Sequence, residues 1–161
     1  METLIIPVGA EKREIYEVII PQIKAIISGE TDQIANMANV AAILKEAFDT
    51  LWVGFYIVKR DNSIHGYSLV LGPFQGPLAC SRIAYGKGVC GASWRDKATL
   101  IVPDVEKFPG HIACSSLSCS EIVVPLIKNG EVVAVLDIDS KVVDSFDELD
   151  ADYLESIMEM L

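Results

Sequence analysis

The chain has 161 residues, a length typical of one domain that can bury enough surface to need no disulfides or structural metal. Hydrophobic residues make up 51% of the chain, which excludes an intrinsically disordered protein. Acidic residues outnumber basic ones by 23 to 13, and the net charge of −10 excludes most binding to nucleic acids and anionic membranes. Such a charge suits a cationic or zwitterionic small ligand, although it is also common where only solubility is needed.

No stretch of the sequence approaches the roughly 20 apolar residues of a membrane span. The first ten residues carry Glu2 and no basic flank before a short apolar run, which is not typical of a signal peptide. We therefore expect a cytoplasmic protein whose thiols stay reduced. Its four cysteines, Cys80, Cys90, Cys114 and Cys119, are then not expected to form a structural disulfide framework, and their clustering raises the question of chemistry.

Two helices are predicted at the start of the chain. Residues 11–28 place isoleucines at helical spacing, with a kink expected at Pro21. Thr31 or Asp32 can cap a second helix that runs to about Phe48. Its inner face is predicted to carry Ile34, Met37, Val40, Ala41 and Leu44.

The pattern then changes to that of β-strands. β-Branched and aromatic residues predict a strand over 51–59, and a turn leads to a returning strand over 67–71. The glycine-rich stretch 72–91 is predicted to be mostly loop, with a short strand near 80–83 and a helical segment over 89–95. Loops of this length often carry function.

A β-hairpin is the clearest element of the second half. Asn129-Gly130 stands between two apolar runs, 121–127 and 132–139, and predicts a type I′ turn. Pro125 predicts that its strand has one unpaired side near that residue, because proline cannot donate to a neighbouring strand.

The remaining segments complete an α+β pattern. Residues 99–102 predict a short strand, and 108–120 is predicted to be irregular. A capping box of Ser145 and Glu148 predicts the start of a last helix. This order indicates a single domain over residues 1–161, with one antiparallel sheet and helices packed on one face.

Two aspartates on the second hairpin strand are the first candidates for chemistry. Asp137 and Asp139 alternate along the strand and therefore point to one face of the sheet. They form either the solvated end of the strand or a pocket mouth in which two close carboxylates raise each other's proton affinity. A regular register places Glu121 opposite Ile138 on the other face, whereas a β-bulge would bring Glu121 to the aspartates. The spacing leaves both arrangements open.

The cysteines offer several environments. His111 precedes Cys114 by three residues, and a turn there would let the imidazole stabilise a thiolate. Cys90 follows the Gly-Lys-Gly segment 86–88 at a predicted helix start, where backbone amides favour an anion or could bind a ligand's carboxylate. Cys80 lies in or beside a predicted strand, and its simplest interpretation is a small, buried hydrophobic residue.

Two further features have simple structural interpretations beside the functional ones. Zinc held by His111 and the cysteines is a minor alternative, since no second pair of ligands has zinc-ribbon spacing. Most aromatic residues are expected in the core. Trp52 and Trp94 are the better pocket candidates because each adjoins glycine-containing segments, and an aromatic wall suits a methyl or thioether group.

Six short segments together carry a family resemblance. They are WVGFY at 52–56, GPFQG at 72–76, GKGVCG at 86–91, FPGHIAC at 108–114, SEIVVP at 120–125 and DIDS at 137–140. In this order they resemble the free methionine-(R)-sulfoxide reductases, enzymes built on one GAF domain. The resemblance spans nearly the whole chain and implies a six-stranded antiparallel sheet with an enclosed, reactive pocket.

The resemblance also implies roles for the cysteines. Cys114 matches the catalytic cysteine, and Cys80 matches the resolving cysteine that forms a disulfide with it. Cys90 matches an alternative or auxiliary resolving thiol. Cys119 stands where the family usually has another residue. Its presence leaves open which thiol resolves the sulfenic acid that the family's reaction forms on the catalytic cysteine.

For the pocket, the resemblance implies that Glu121, Asp137 and Asp139 bind the substrate's ammonium group and assist protonation of the sulfoxide, with Asp139 or Glu121 as the acid. Trp52 matches a tryptophan of the methyl-binding wall. The implied reaction forms a sulfenic acid and then a disulfide, which thioredoxin reduces at the expense of NADPH through thioredoxin reductase. No bound cofactor and no metal are expected.

Other functions stay open at this point. A GAF domain can sense a small ligand without turnover, the cysteines can serve a redox sensor, and a non-catalytic interaction domain would bury inert thiols. The sequence also leaves open the choice between a monomer and a homodimer.

Overall fold

The computed structural model describes residues 4–110 and 116–161. Its elements are α1 (Lys12–Ile27), α2 (Gln33–Phe48), β1 (Trp52–Arg60), β2 (Tyr67–Gln75), β3 (Arg82–Ala84), α3 (Gly88–Asp96), β4 (Leu100–Val102), a 3-10 turn (Val105–Lys107), β5 (Ser120–Lys128), β6 (Glu131–Ser140) and α4 (Glu148–Glu159). Within the described residues, no helix is long and apolar enough to cross a bilayer.

The strands form one antiparallel sheet in the order β3-β2-β1-β6-β5-β4, which confirms the predicted α+β fold. Helices α1, α2 and α4 pack on one face, where Ile19, Val40 and Leu154 meet Phe55 and Leu136 of the sheet. The short α3 covers the opposite face and contributes to a second, smaller hydrophobic cluster. The sheet is therefore buried on both faces near its centre, and the second face has room for a site beneath a single short helix.

The first two helices form where the sequence predicts them. The carboxylate of Asp32 accepts hydrogen bonds from the first-turn amides of α2, as expected of an N-cap. Helix α1 continues through Pro21, which lies inside it. The prediction that Ile34 lies on the inner face of α2 is wrong, because Ile34 is 48% exposed. It belongs to the first turn, and the buried residues of α2 begin at Asn36.

Strand β2 extends further than the sequence predicts. The predicted loop begins at Gly72, yet β2 runs through Pro73 to Gln75. Strand β3 pairs only with residues 68–70 of β2. Pro73, which has no backbone N–H to donate, therefore has no strand to pair with on that side. The extension carries Phe74 alongside β1, where it reaches the candidate site.

The β5–β6 hairpin confirms its predicted turn. Asn129 and Gly130 both have positive φ, 53° and 79°, as a type I′ turn requires. Strand β4 pairs only with residues 121–123 of β5, so Pro125 faces an unpaired side, as predicted.

The capping box of the last helix differs from the prediction. Asp147 caps α4, and Asp150 rather than Glu148 completes the box. Ser145 instead donates its hydroxyl to the carbonyl of Val142 at 2.9 Å, which draws it into the preceding turn.

Candidate active site

A cavity lies between α3 and the sheet, on the face that carries the smaller hydrophobic cluster. Its described walls come from β1, the start of α3, the rim segment 77–79 and the β5–β6 hairpin. Five of the seven predicted site residues line it, namely Trp52, Cys90, Glu121, Asp137 and Asp139. The structure therefore brings together side chains from four separate elements of the chain.

A β-bulge decides where Glu121 points. The register of the hairpin shifts between Leu126 and Ile127. Beyond this shift Glu121 pairs with Asp139 instead of Ile138. Since a one-residue slip exchanges the two faces of a strand, the bulge places Glu121 on the side of the aspartates. The open alternative is thereby settled in favour of convergence.

The side chains of the site form two rows across the sheet. Trp52 of β1 pairs with Asp139 of β6, which in turn pairs with Glu121 of β5. In the next row on the same face, Gly54 lies opposite Asp137. An aromatic ring and three acids thus occupy adjacent positions on one side of three neighbouring strands.

Burial raises the pKa of each of the three acids. Glu121 is 5% exposed and Asp137 is 7% exposed. Burial, followed by repulsion from the aspartates, raises the pKa of Glu121, and burial with repulsion from Asp139 raises the pKa of Asp137. Burial also raises the pKa of Asp139, against the effect of a hydrogen bond from Ser118. The cluster can therefore hold a proton near neutral pH and transfer it to a ligand.

Two buried polar atoms of the site have no partner within the described part of the chain. They are Oδ1 of Asp137 and the indole nitrogen of Trp52. A buried polar atom without a partner costs about 1–3 kcal/mol, so such atoms are rare in folded proteins. A ligand that donates to Asp137 would remove part of that cost.

Cys90 does not have the environment that the sequence indicates. It is the third residue of α3 and is only 3% exposed. Burial, followed by the charges of Asp137 and Glu121, raises the pKa of the Cys90 thiol well above its usual value. The prediction that helix amides favour an anion here is therefore wrong, because the carboxylates and the loss of water outweigh them. The neutral thiol is hydrogen-bonded to Asp137.

The other cysteines lie in different settings. Cys80 is disulfide-bonded, and its backbone carbonyl accepts a hydrogen bond from the Tyr56 hydroxyl at 3.0 Å. Cys119 is a half-buried free thiol at the entrance to β5 and is not among the described lining residues of the cavity. His111 and Cys114 lie outside the described residues, so their predicted roles stay predictions.

The group of possible metal ligands in the structure shares only Cys90 with the predicted zinc alternative. Within the described ranges, Cys90, Glu121 and Asp137 place three ligand atoms within 4.8 Å of one another. These side chains are joined by hydrogen bonds at Asp137. We interpret the cluster as a proton-sharing group and assign no metal to it.

The aromatic wall is built around Trp52, which is 4% exposed. Its ring stacks against Phe74 and Tyr56, with ring centroids 5.5 and 5.8 Å away. Trp94, the second predicted pocket residue, is not among the described lining residues. It lies in the last turn of α3 and packs edge-on against Tyr85, with ring centroids 4.8 Å apart.

Gly54 makes room for the wall. A Cβ atom on Gly54 would lie 2.4 Å from both Cη2 of Trp52 and Cβ of Phe74. We expect Gly54→Ala to lower the free energy of unfolding by about 2–3 kcal/mol, because neither neighbour can move without disturbing the wall. Chemical denaturation would measure this loss. The control is Gly29→Ala, since a Cβ there meets nothing within 4 Å. Equal stability of the two variants would contradict this explanation.

Tyr56 and Ser118 are among the lining residues that sequence reasoning missed. Tyr56 was assigned to the core, although its even spacing from Trp52 on β1 places both on the same face. Ser118 precedes β5 in an irregular segment, where periodicity carries no signal. Lys87 also lines the cavity, as the predicted role of the Gly-Lys-Gly segment requires.

The chain is similar to known proteins over most of its length. The GAF domain family profile matches residues 37–160. The chain is 59% identical over 150 residues to GAF domain-containing protein A of Dictyostelium discoideum. The aligned region covers 93% of this chain and 92% of that protein. The chain is 41% identical over 151 residues to the free methionine-R-sulfoxide reductase of Escherichia coli, with coverage of 93% and 88%.

A solved structure extends the likeness to three dimensions. The free methionine-R-sulfoxide reductase of Neisseria meningitidis, in complex with its substrate, superposes with a TM-score of 0.93. The two sequences are 49% identical, and the superposition covers 99% of this chain and 93% of that one.

Proposed function

Since this chain belongs to the free methionine-(R)-sulfoxide reductases, a family of oxidoreductases built on the GAF domain, we propose that it reduces free L-methionine-(R)-sulfoxide to L-methionine. The observation that carries the proposal is the convergence of Glu121, Asp137 and Asp139 beside the Trp52 wall. A sulfoxide oxygen is a poor leaving group until it is protonated, and a buried carboxylic acid supplies that proton.

Each part of the substrate has a matching group in the cavity. The ammonium group pairs with Asp139 and with Oδ1 of Asp137, which otherwise has no partner within the described residues. Lys87 and the amides at the start of α3 bind the α-carboxylate. The S-methyl group rests against the ring of Trp52. In this arrangement the ammonium group faces the acids of the cavity, and the α-carboxylate faces its basic residue, Lys87.

The chemical step transfers one oxygen atom and two electrons. The Cys114 thiolate attacks the sulfoxide sulfur while a carboxylic acid of the cluster gives its proton to the oxygen. The S–O bond of the substrate breaks, methionine leaves, and Cys114 becomes a sulfenic acid. The oxygen thus moves from the substrate sulfur to the cysteine sulfur, which is oxidised.

Recycling requires a second thiol and an external reductant. The Cys80 thiol displaces water from the sulfenic acid of Cys114, and a disulfide forms. Thioredoxin, kept reduced by NADPH through its reductase in the cytoplasm, then restores both thiols. Two observations support Cys80 in this role: it is disulfide-bonded in the structure, whereas Cys90 is a neutral thiol engaged with Asp137.

The first experiment compares substrates in a thioredoxin-coupled assay of NADPH oxidation. We expect turnover of free L-methionine-(R)-sulfoxide, and a kcat/KM at least about 100-fold lower for its N-acetyl derivative, which leaves the buried acids without their ammonium partner. The (S)-epimer serves as the stereochemical control. Equal rates with peptide-bound sulfoxide would contradict the proposed substrate. Binding of the free sulfoxide without its consumption would favour a ligand-sensing GAF domain instead.

A further inference from the structure

The three acids of the cavity are not equivalent. Glu121 and Asp137 are buried, whereas Asp139 lies at the strand end and is partly accessible. Asp139 also has a hydroxyl partner from outside the acid cluster. The hydroxyl of Ser118 donates a hydrogen bond to Oδ1 of Asp139 at 2.5 Å, and Ser118 itself lines the cavity.

This contact has a chemical consequence that follows from geometry. A hydroxyl that donates to a carboxylate stabilises its ionised form, and such a charge-assisted bond is about twice as strong as a neutral one. The bond engages Oδ1 and does not involve Oδ2, the second acceptor of the carboxylate. Asp137, in contrast, shares hydrogen bonds with Glu121 and with the neutral Cys90 thiol.

We propose that Ser118 is a positioning residue that holds Asp139 as the anionic partner of the substrate's ammonium group, so that the Glu121–Asp137 pair is left as the proton source. This inference rests on the proposed function and extends it by dividing two tasks among three acids. Ser118 makes no bond in the reaction itself, and it acts through Asp139.

The surroundings of Asp139 support this division. Glu121 faces it from β5, Asp137 precedes it on β6, and Cys90 approaches from α3. Tyr56 of β1 is kept neutral, because burial and the nearby acids raise the pKa of its hydroxyl. Lys87 is the remaining charged lining residue in the described part of the cavity. Burial among these groups opposes ionisation of Asp139 and raises its pKa, and the hydrogen bond from the Ser118 hydroxyl counteracts this.

The first test replaces Ser118 with alanine. Without its donor, the pKa of Asp139 rises, so the acid limb of kcat/KM is expected to move to higher pH by about one unit. At pH 6.5 we expect KM to increase about tenfold while kcat stays within about threefold, because the proton source is intact. Ser118→Thr retains a hydroxyl and should restore the wild-type pH profile. Ser156→Ala, which removes a helix-surface hydroxyl far along the chain, is the matched control.

A second measurement does not depend on turnover. The carboxyl carbon of Asp139 is followed by NMR across the pH range in wild type and in Ser118→Ala. A higher titration midpoint in the variant is expected, even if the protein proves to bind methionine sulfoxide without reducing it. The two proposals can therefore fail separately.

Two outcomes would overturn the inference. An unchanged Asp139 midpoint would show that the hydroxyl does not bias its ionisation. A loss of kcat with no shift of the acid limb would show that Ser118 acts on the preceding cysteine segment and not on Asp139.

Discussion

Replacing Cys114 with serine is expected to abolish reduction of free methionine sulfoxide, with kcat lowered by at least about 1,000-fold. A hydroxyl at this position is not ionised near neutral pH and cannot take up the substrate oxygen as a sulfenic acid. The thioredoxin-coupled assay measures the loss. Cys119→Ser is the matched control, because Cys119 is a free thiol five residues further along and is not among the described lining residues of the cavity. We expect it to retain turnover within about threefold.

Cys80→Ser separates the oxygen transfer from the recycling of the enzyme. This variant keeps the nucleophile and is expected to release one methionine per protein molecule before turnover stalls. A sulfenic-acid trapping reagent and mass spectrometry would then locate the oxidised sulfur on Cys114. Sustained turnover of Cys80→Ser would assign the resolving role to another thiol. Turnover by Cys114→Ser would contradict the assignment of the nucleophile altogether.

The course of the chain was largely predictable because local signals agreed with one another. Asp32 caps α2 where an acid precedes a helical pattern, and Asn129-Gly130 adopts the two positive φ angles that its turn type needs. The end of β2 could not be predicted in the same way. Gly72 and Pro73 usually end a strand, and they are tolerated here only because β3 is too short to reach them.

The convergence of the acids shows the limit of periodicity. Alternation places Asp137 and Asp139 together without further information. Glu121 joins them only through the bulge at Leu126, and no feature of the sequence marks where a strand takes up an extra residue. The family resemblance anticipated the cluster, whereas the regular register would have placed Glu121 on the opposite face.

The behaviour of Cys90 depends on neighbours that are remote in sequence. A cysteine at the start of a helix is favourable for a thiolate when the helix is considered alone. In the folded chain, burial, followed by the charges of Asp137 and Glu121 on the sheet, raises the pKa of the Cys90 thiol and reverses that preference. An ionisation state is thus a property of the assembled site, which the local motif does not determine.

The cluster of three acids lowers the stability of the folded protein. Three acids in a poorly hydrated cavity repel one another when ionised, and Asp137 also buries an oxygen that has no partner within the described residues. Buried charges of this kind lower stability unless they are paired. We therefore expect the site to be less stable than an uncharged version of itself, with the substrate's ammonium group supplying the missing counter-charge.

Asp137→Asn tests this trade between stability and function. The pKa of Asp137 is raised, so the folded protein binds more protons than the unfolded chain at a pH between the two pKa values. The stabilising contribution of the protonated acid is therefore complete below the unfolded pKa of about 4 and is lost as the pH rises through the folded pKa. Asparagine carries no charge at any pH, so the variant does not lose this stabilising contribution as the pH rises. We expect the variant to match wild type near pH 4 and to exceed it by about 2 kcal/mol in unfolding free energy at pH 8.

Activity should change in the opposite direction. Loss of an ammonium partner and of one member of the proton-sharing pair is expected to lower kcat/KM by about 100-fold or more. Denaturant unfolding at several pH values and the coupled assay measure the two effects on the same protein. Asp152→Asn, on the exposed side of α4, is the control and should leave both unchanged, since its carboxylate is in water in either state. A wild-type protein that is more stable than Asp137→Asn at pH 8 would show that the ionised carboxylate is favourably paired inside the cavity. The proton for the sulfoxide would then have to come from Glu121 alone.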